Sequence, residues 1–245
     1  MEKISVTIIT LNEEKNIGRC LQSLGWADEI VVLDTFSTDR TVDLCKKYTD
    51  KVFQDRWQGY GKQKNRCAQL AENNWVLNID ADEVVSRECA EAIQSLLTKG
   101  PEHPVYQFPR RNFFGERWVR YGGWYPDHIS RLYDKTRVSF SESMVHERLI
   151  PDNPCGRVPE PLLHYSYAGM EEYIARQNRY SSLYAAEKSR NGWQAGWTHL
   201  YLRPPLVFFK NFILRQGFRE GFLGVFLALS AAFYTYLKYA KTRKI

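Results

Sequence analysis

Trp75-Val76-Leu77-Asn78-Ile79-Asp80-Ala81-Asp82-Glu83 is an apolar run with strand character that ends abruptly in two carboxylates one residue apart. In an open α/β sheet, ligands gather where parallel strands reach their carboxyl ends. Asp80 and Asp82 would present hard oxygen ligands to a divalent cation there. Mg²⁺ or Mn²⁺ held in that way keeps coordination positions for substrate phosphates. The same residues would also suit a plain strand end and helix start, because Asp and Glu favour helix N-termini.

The preceding residues bear on that choice. Residues 5–10 (SVTIIT) read as a buried strand, followed at Asn12-Glu13-Glu14 by the cap of a helix reaching about Leu24. Residues 29–33 (EIVVL) form a second apolar strand ending at Asp34, and a polar loop, 35–39, opens a helix to about Tyr48. Residues 51–53 are a short third strand, 62–71 a helix, and 75–79 the fourth strand. Strands alternating with helices of about ten residues predict a doubly wound, mostly parallel sheet. Right-handed crossovers would bring the polar strand ends Asn12-Glu13, Asp34 and Asp80/Asp82 to one edge. Three in a row point to a nucleotide site.

These residues carry a family resemblance. The strings Thr7-Ile-Ile-Thr-Leu-Asn-Glu-Glu14, Val31-Val-Leu-Asp-Thr-Phe-Ser-Thr-Asp-Arg-Thr41 and Asn78-Ile-Asp-Ala-Asp-Glu83 resemble the strand-one, strand-two and DXD metal signatures of the inverting family 2 glycosyltransferases of the GT-A fold. They occur in order over roughly residues 3–150. More narrowly, the chain resembles small bacterial transferases that add glucose to the heptose of the lipopolysaccharide inner core. One departure is Asp34-Thr35-Phe36, where many relatives carry a second Asp or a Gly. The resemblance implies a UDP-glucose donor, inversion at the anomeric carbon and a lipid-linked core acceptor. It implies donor contacts at Thr10, Leu11, Asn12, Glu13, Asp34, Lys64, Asp80 and Ala81, and a divalent cation on Asp80 and Asp82. His146, in Val145-His146-Glu147, matches the histidine that supplies a further metal ligand late in many GT-A domains. His164 and His199 receive no role.

The middle segment reads as the acceptor side. Residues 98–104 are a loop, and 105–108 and 129–133 read as strands. Between them lies Arg120-Tyr-Gly-Gly-Trp-Tyr-Pro-Asp127. Gly123 and its neighbour permit close backbone approach, while Trp124 and Tyr125 offer flat faces for a sugar. Arg120 could clamp acceptor phosphates with the nearby Arg110, Arg111 and Arg117, or the four could form a solvated basic loop. The family has an acidic base after such a loop, so Asp127 is its match and Glu147 the alternative. Otherwise Asp127 caps a turn or pairs with Arg131.

The chain of 245 residues suits one large or two small domains. Its division is expected at 165/166, with a catalytic domain over 1–165 and a helical, membrane-associated region over 166–245. Its five cysteines lack CxxC spacing, which argues against zinc and for a reduced compartment. Met1-Glu-Lys-Ile leads straight into strand one, so no signal peptide is expected. The net charge of +6 comes without a helix-turn-helix or RNA-binding signature, so no nucleic-acid partner is expected. An anionic membrane surface or a phosphorylated acceptor accounts for it. Residues 200–237 mix apolar runs, the longest at 221–237, with Arg203, Lys210, Arg215, Arg219 and Lys238. That pattern suits amphipathic helices in the headgroup region, against alternatives of a core helix, an oligomer contact or a span. The enzyme would then sit peripherally on the cytoplasmic face of the bacterial inner membrane. Two other functions fit parts of the sequence. Asp80-Ala-Asp-Glu-Val84 matches a DxDx[TV] phosphatase signature with Asp80 as nucleophile, but no adjacent Asp pair follows. A catalytically inert, membrane-docked sugar-nucleotide-binding module is the second.

Overall fold

A computed structural model describes residues 2–141, 148–150, 155–190 and 192–243. They form two compact units, Met1–Arg110 with Asp127–His164, and Arg111–Pro126 with Tyr165–Ile245. The carboxyl-side division falls between His164 and Tyr165. Residues 111–126 belong to the second unit, whereas the expected catalytic domain included them.

The first unit is built on a mixed sheet. Its strands are β1 (Ile4–Thr10), β2 (Glu29–Asp34), β3 (Val52–Gln54), β4 (Trp75–Asp80), β5 (Glu83–Val85), the first part of β6 (Val105–Phe114), and others introduced below. β3, β2, β1 and β4 lie side by side in that order, all parallel. Parallel strands covered on both faces read as continuous apolar runs. β1 is accordingly buried along nearly its whole length, and Ile8, Val32, Leu77 and Ile79 are sealed from solvent. Each such side chain contributes on the order of 1.5–3 kcal/mol by leaving water. Helices α1 (Ile17–Gln22), α2 (Thr41–Cys45), α3 (Tyr60–Leu70) and α4 (Arg87–Lys99) connect and cover the strands. Ser86 caps α4, its hydroxyl accepting from Cys89 N at 3.2 Å. α1 begins five residues after Asn12, because Asn12 takes a left-handed φ of 55° and its side chain bonds the neighbouring loop instead of capping a helix.

Beyond β4 the sheet changes direction. β7 (Arg117–Trp118) belongs to the second unit, and β8 (Asp127–Asp134) pairs antiparallel with β4, Leu77 opposite Leu132. β6 is antiparallel to β8, Arg110 opposite Asp127. Short strands β9 (Ser139–Phe140), β10 (Leu149–Ile150) and β11 (Cys155–Arg157) follow, then β12 (Leu162–Tyr167), whose His164 lies opposite Glu83 of β5.

The second unit gathers helices around an aromatic core. α5 (Met170–Arg190), α6 (Arg203–Phe209) and α7 (Phe222–Ala240) are its main elements. Phe114, Val119, Tyr173, Leu223 and Leu227 form one cluster, with Trp124, Tyr167 and Phe226 packed against it. α7 lies close to the turn before it: a Cβ on Gly224 would stand 1.9 Å from the Gly217 carbonyl oxygen. A glycine is required there by contact rather than by backbone angle.

Candidate active site

Sheet register assembles the first unit's site. Thr10 lies opposite Asp34, Ile9 opposite Asp80, and Asp34 opposite Gln54. The carboxyl ends of all four parallel strands therefore reach one edge. Because β8 is antiparallel, its first residue, Asp127, reaches that same edge, where a parallel strand would have carried it to the other end.

Asp34 is completely buried and holds the edge together. Its carboxylate accepts from Thr10 Oγ1 (3.0 Å), Ser37 N (2.8 Å), Gln54 Nε2 (3.0 Å) and Ser37 Oγ. Two oxygens with four donors are saturated. Asp34 thus shapes the loops that carry Leu11 and Phe36 rather than presenting a polar group outward. Both of those side chains are exposed. Phe36 takes φ 55°, a left-handed conformation that glycine would adopt without strain. Asn12 bridges to the same loop, its Oδ1 accepting from Thr38 N at 2.8 Å. The Glu13 carboxylate accepts from Asn16 Nδ2 at 2.9 Å.

At β4 the carboxylates divide. Arg131, only 1 % exposed, bonds Asp80 and also reaches Glu83 Oε1 at 2.7 Å. Lys64 Nζ stands 3.4 Å from Asp80 Oδ1, and its side chain is buried. Burial alone would raise the Asp80 carboxyl, but Arg131 and then Lys64 hold it well below the usual carboxylate range. Glu83, fully buried, also receives Arg110 Nη1 at 3.3 Å and the backbone N–H of Asp80 at 3.1 Å. Arg110 in turn donates Nε (3.0 Å) and Nη2 (2.6 Å) to Asp127 Oδ2. Three carboxylates (Asp80, Glu83, Asp127) are thus matched by three cations (Arg131, Arg110, Lys64). Asp82 is the surplus negative charge, and His164 Nε2 lies 3.4 Å from its Oδ2. Ala81 between the two aspartates is buried.

The donor set can be judged chemically for a cation. Asp82 and His164 pair a hard oxygen with an imidazole, which is acceptable to Mn²⁺ and less natural for Mg²⁺. Among the described residues no group of three or more metal-ligating side chains occurs. Two protein ligands completed by donor phosphates is the arrangement expected of such ions. His146 and Glu147 lie outside the described residues. His164, given no role from sequence, is the imidazole beside Asp82. Nothing local in the sequence links it to residue 82. Arg131 left a better signal: an arginine inside an apolar strand needs buried anions.

In the second unit, the loop around Gly122 and Gly123 is held from the α6–α7 connector. Glu220 Oε1 accepts from the backbone N–H of Arg120 (2.8 Å) and Tyr121 (3.0 Å), and Arg117 Nη2 donates to Glu220 Oε2 at 2.9 Å. Gly122 N donates to the Arg215 carbonyl at 2.9 Å. Gly123 takes φ 88°, and a Cβ there would fall 2.2 Å from Arg215 Nη1. Trp124 packs with Tyr167 and Tyr173, so it belongs to the aromatic core more than to an open sugar platform. Tyr125 stands edge-on to Trp118, whose ring also carries Arg111 and Arg120 at 4.6 and 4.3 Å. The four arginines of the segment therefore divide: Arg110 serves the carboxylates, Arg111 and Arg120 stack, and Arg117 pairs with Glu220.

A half-parallel, half-antiparallel sheet with acidic side chains converging on the β4 edge is that of a GT-A transferase. Residues 5–148 match the glycosyl transferase family 2 model, and the chain belongs to that family. It is 30% identical over 251 residues to the lipopolysaccharide core biosynthesis glycosyltransferase LpsC of Rhizobium meliloti, covering 97% of this chain and 91% of that protein. It is 31% identical over 256 residues to an uncharacterized glycosyltransferase of Rickettsia felis, covering 100% of this chain and 90% of that one. Its fold matches a crystal structure of S. aureus TarS residues 1–349 in complex with UDP-GlcNAc, with TM-score 0.51 and 19% identity, covering 96% of this chain and 81% of that one. Membership of a glycosyltransferase family removes the phosphatase reading of Asp80, which is moreover held by Arg131 and Lys64.

Proposed function

We propose that this enzyme transfers glucose from UDP-glucose to a heptose of the lipopolysaccharide inner core with inversion. The observation that carries the reading is the convergence of Asp80, Asp82 and Asp127 on one sheet edge in a family 2 glycosyltransferase. The name of the Rhizobium relative, which this chain matches along almost its full length, supports a lipopolysaccharide core acceptor. Glucose and heptose rest on the resemblance of the sequence motifs.

In this mechanism Asp127 takes the proton of the acceptor hydroxyl. Arg110 orients that carboxylate through its two bonds to Oδ2. The acceptor oxygen forms a bond to the anomeric carbon as the bond to the diphosphate oxygen breaks on the opposite face, and the nucleoside diphosphate leaves with the electron pair. Asp82 and His164 are the residues that would hold a divalent cation, which when bound would neutralise the charge developing on the diphosphate. Lys64, beside Asp80, adds a fixed positive charge at the edge. Gly123, Trp124, Tyr125 and Arg120 precede Asp127 in the chain, and the family resemblance assigns them to the acceptor.

The test is a screen of radiolabelled sugar nucleotides against lipopolysaccharides truncated at successive core residues, with Mg²⁺ or Mn²⁺. Transfer from UDP-glucose to a heptose-ended core, lost on chelation, is expected. Turnover that survives exhaustive chelation removes the cation. Failure with every heptose-ended acceptor removes the acceptor assignment. Donor hydrolysis without acceptor separates an enzyme from an inert binding module.

A further inference from the structure

α7 is inside out. Its solvent-facing residues recur at Phe222, Val225, Leu229, Phe233 and Tyr236, three or four apart, and all five are apolar or aromatic. Residues three and four apart share one face of a helix. The opposite face, with Leu223, Leu227 and Ala228, is buried in the second unit. A water-exposed helix normally turns its polar side outward. α5, in the same unit, mixes exposed Glu171, Glu172, Arg179 and Glu187 with exposed Ile174, Tyr180 and Leu183. The segment around α6 repeats the reversal: Leu202, Leu206, Phe209 and Ile213 are exposed, again three or four apart. α6 and α7 pack on each other, so the unit presents two apolar stripes outward. Contiguous patches of this kind mark interaction sites.

Charge identifies the occupant. Residues 198–245 contain eight Lys or Arg and one acid, Glu220. That acid is buried and engaged by Arg117, while Arg203, Lys210, Arg215, Arg219 and Arg243 are exposed. A second copy of the chain would bring cations against cations. Anionic lipid headgroups complement them, and each basic residue near such a surface adds favourable energy that salt screens. α7 has 19 residues and is long and apolar enough to cross a bilayer by length and composition. Its inner face, however, packs against charged α5, which a span would carry into hydrocarbon at high cost.

We propose that the outward stripes of α6 and α7 seat this enzyme in the headgroup layer of an anionic bilayer without spanning it. The inference uses the proposed function only in supplying a reason for seating, a lipid-linked acceptor. Its test reads lipid binding with no sugar chemistry, so the two can fail separately.

The experiment is flotation of the full chain with vesicles of phosphatidylcholine containing phosphatidylglycerol, or of phosphatidylcholine alone. The chain should float with the anionic vesicles at low salt, and less with neutral vesicles or at high salt. The triple variant Phe222→Ser, Leu229→Ser, Phe233→Ser removes only exposed side chains. It should lower binding about tenfold or more, since each contributes apolar area to insertion, with circular dichroism unchanged. A second variant, Lys210→Glu with Arg243→Glu, tests the charge without touching apolar groups and should lose binding at low salt. Wild type that stays unbound with anionic vesicles at low salt overturns the proposal. So does a triple variant that floats as wild type does. A wild-type dimer that becomes monomeric in the triple variant and binds no lipid assigns the face to a second copy instead.

Discussion

Asp127 illustrates how little a carboxylate's identity says about its work until its neighbours are known. Arg110 bonds it twice at Oδ2, and the same guanidinium reaches fully buried Glu83. Asp127→Asn should lower kcat by two or more orders of magnitude, in the range of about 10²–10⁴ for a lost general base, and leave donor affinity within a few-fold. Single-turnover transfer and donor titration check this. Loss of donor affinity alone would assign Asp127 to binding. Arg131 is the structural counterpart. It is buried with Asp80 and Glu83, and removing one partner of a buried pair typically costs about 3–5 kcal/mol. Arg131→Met should therefore show that order of loss in urea denaturation at neutral pH. The folded Asp80 carboxyl lies below its unfolded range, so its contribution is complete above the ordinary carboxylate pKa of about 3.9 and fades only as pH falls through the lower folded value. The gap between wild type and Arg131→Met should persist to about pH 4 and narrow only in stronger acid.

Among the elements, the connector between α6 and α7 has the most consequence. Glu220 accepts two backbone N–H groups of the glycine loop and the Arg117 guanidinium. Glu220→Ala removes the acceptor of the two backbone N–H groups, at about 1–3 kcal/mol for each that stays buried and unpaired, while the exposed Arg117 guanidinium turns to water. The variant should raise acceptor KM about tenfold or more while donor KM stays put. Equal effects on both would mean general unfolding. Gly224→Ala tests the packing beneath. Its Cβ would meet the Gly217 carbonyl at 1.9 Å, and such overpacking costs about 1–3 kcal/mol, visible as a lower thermal midpoint.

Over the whole molecule, the cysteines report how the first unit is filled, since all five lie in it. Cys20, Cys45, Cys67 and Cys89 sit buried in or beside the sheet core, and all five cysteines are free. Burial pushes the Cys45, Cys67 and Cys89 thiols up to about 12 and Cys20 well above its ordinary value, helped by Glu83, Asp82 and Asp80. A buried thiol that stays protonated is a poor nucleophile. Native protein at neutral pH should react with iodoacetamide first at half-buried Cys155, and at the other four only on unfolding. Mass spectrometry of the labelled chain reads this directly. Rapid native labelling of Cys67 would show that the α3–sheet interface opens.

The alternation of apolar strands with short helices determined the parallel half of the sheet, because parallel strands covered on both faces leave an uninterrupted apolar signature in the sequence. The same regularity placed Thr10, Asp34 and Asp80 at neighbouring strand ends. Hydrophobic runs do not record strand direction. The antiparallel entry of β8, which carries Asp127 to the β4 edge, was decided by tertiary pairing. Partnerships between distant charges were decided there too: Arg131 with Glu83, Arg110 with Asp127 and His164 with Asp82 each join residues separated by many positions in the chain. Sequence spacing gives no measure of such distances, since every one of them depends on how the sheet is ordered. The apolar content of residues 200–237 was plain from composition. Which of those residues face outward was settled only by the packing of α7 against its neighbours, because a helix that is apolar all round does not reveal which face is buried.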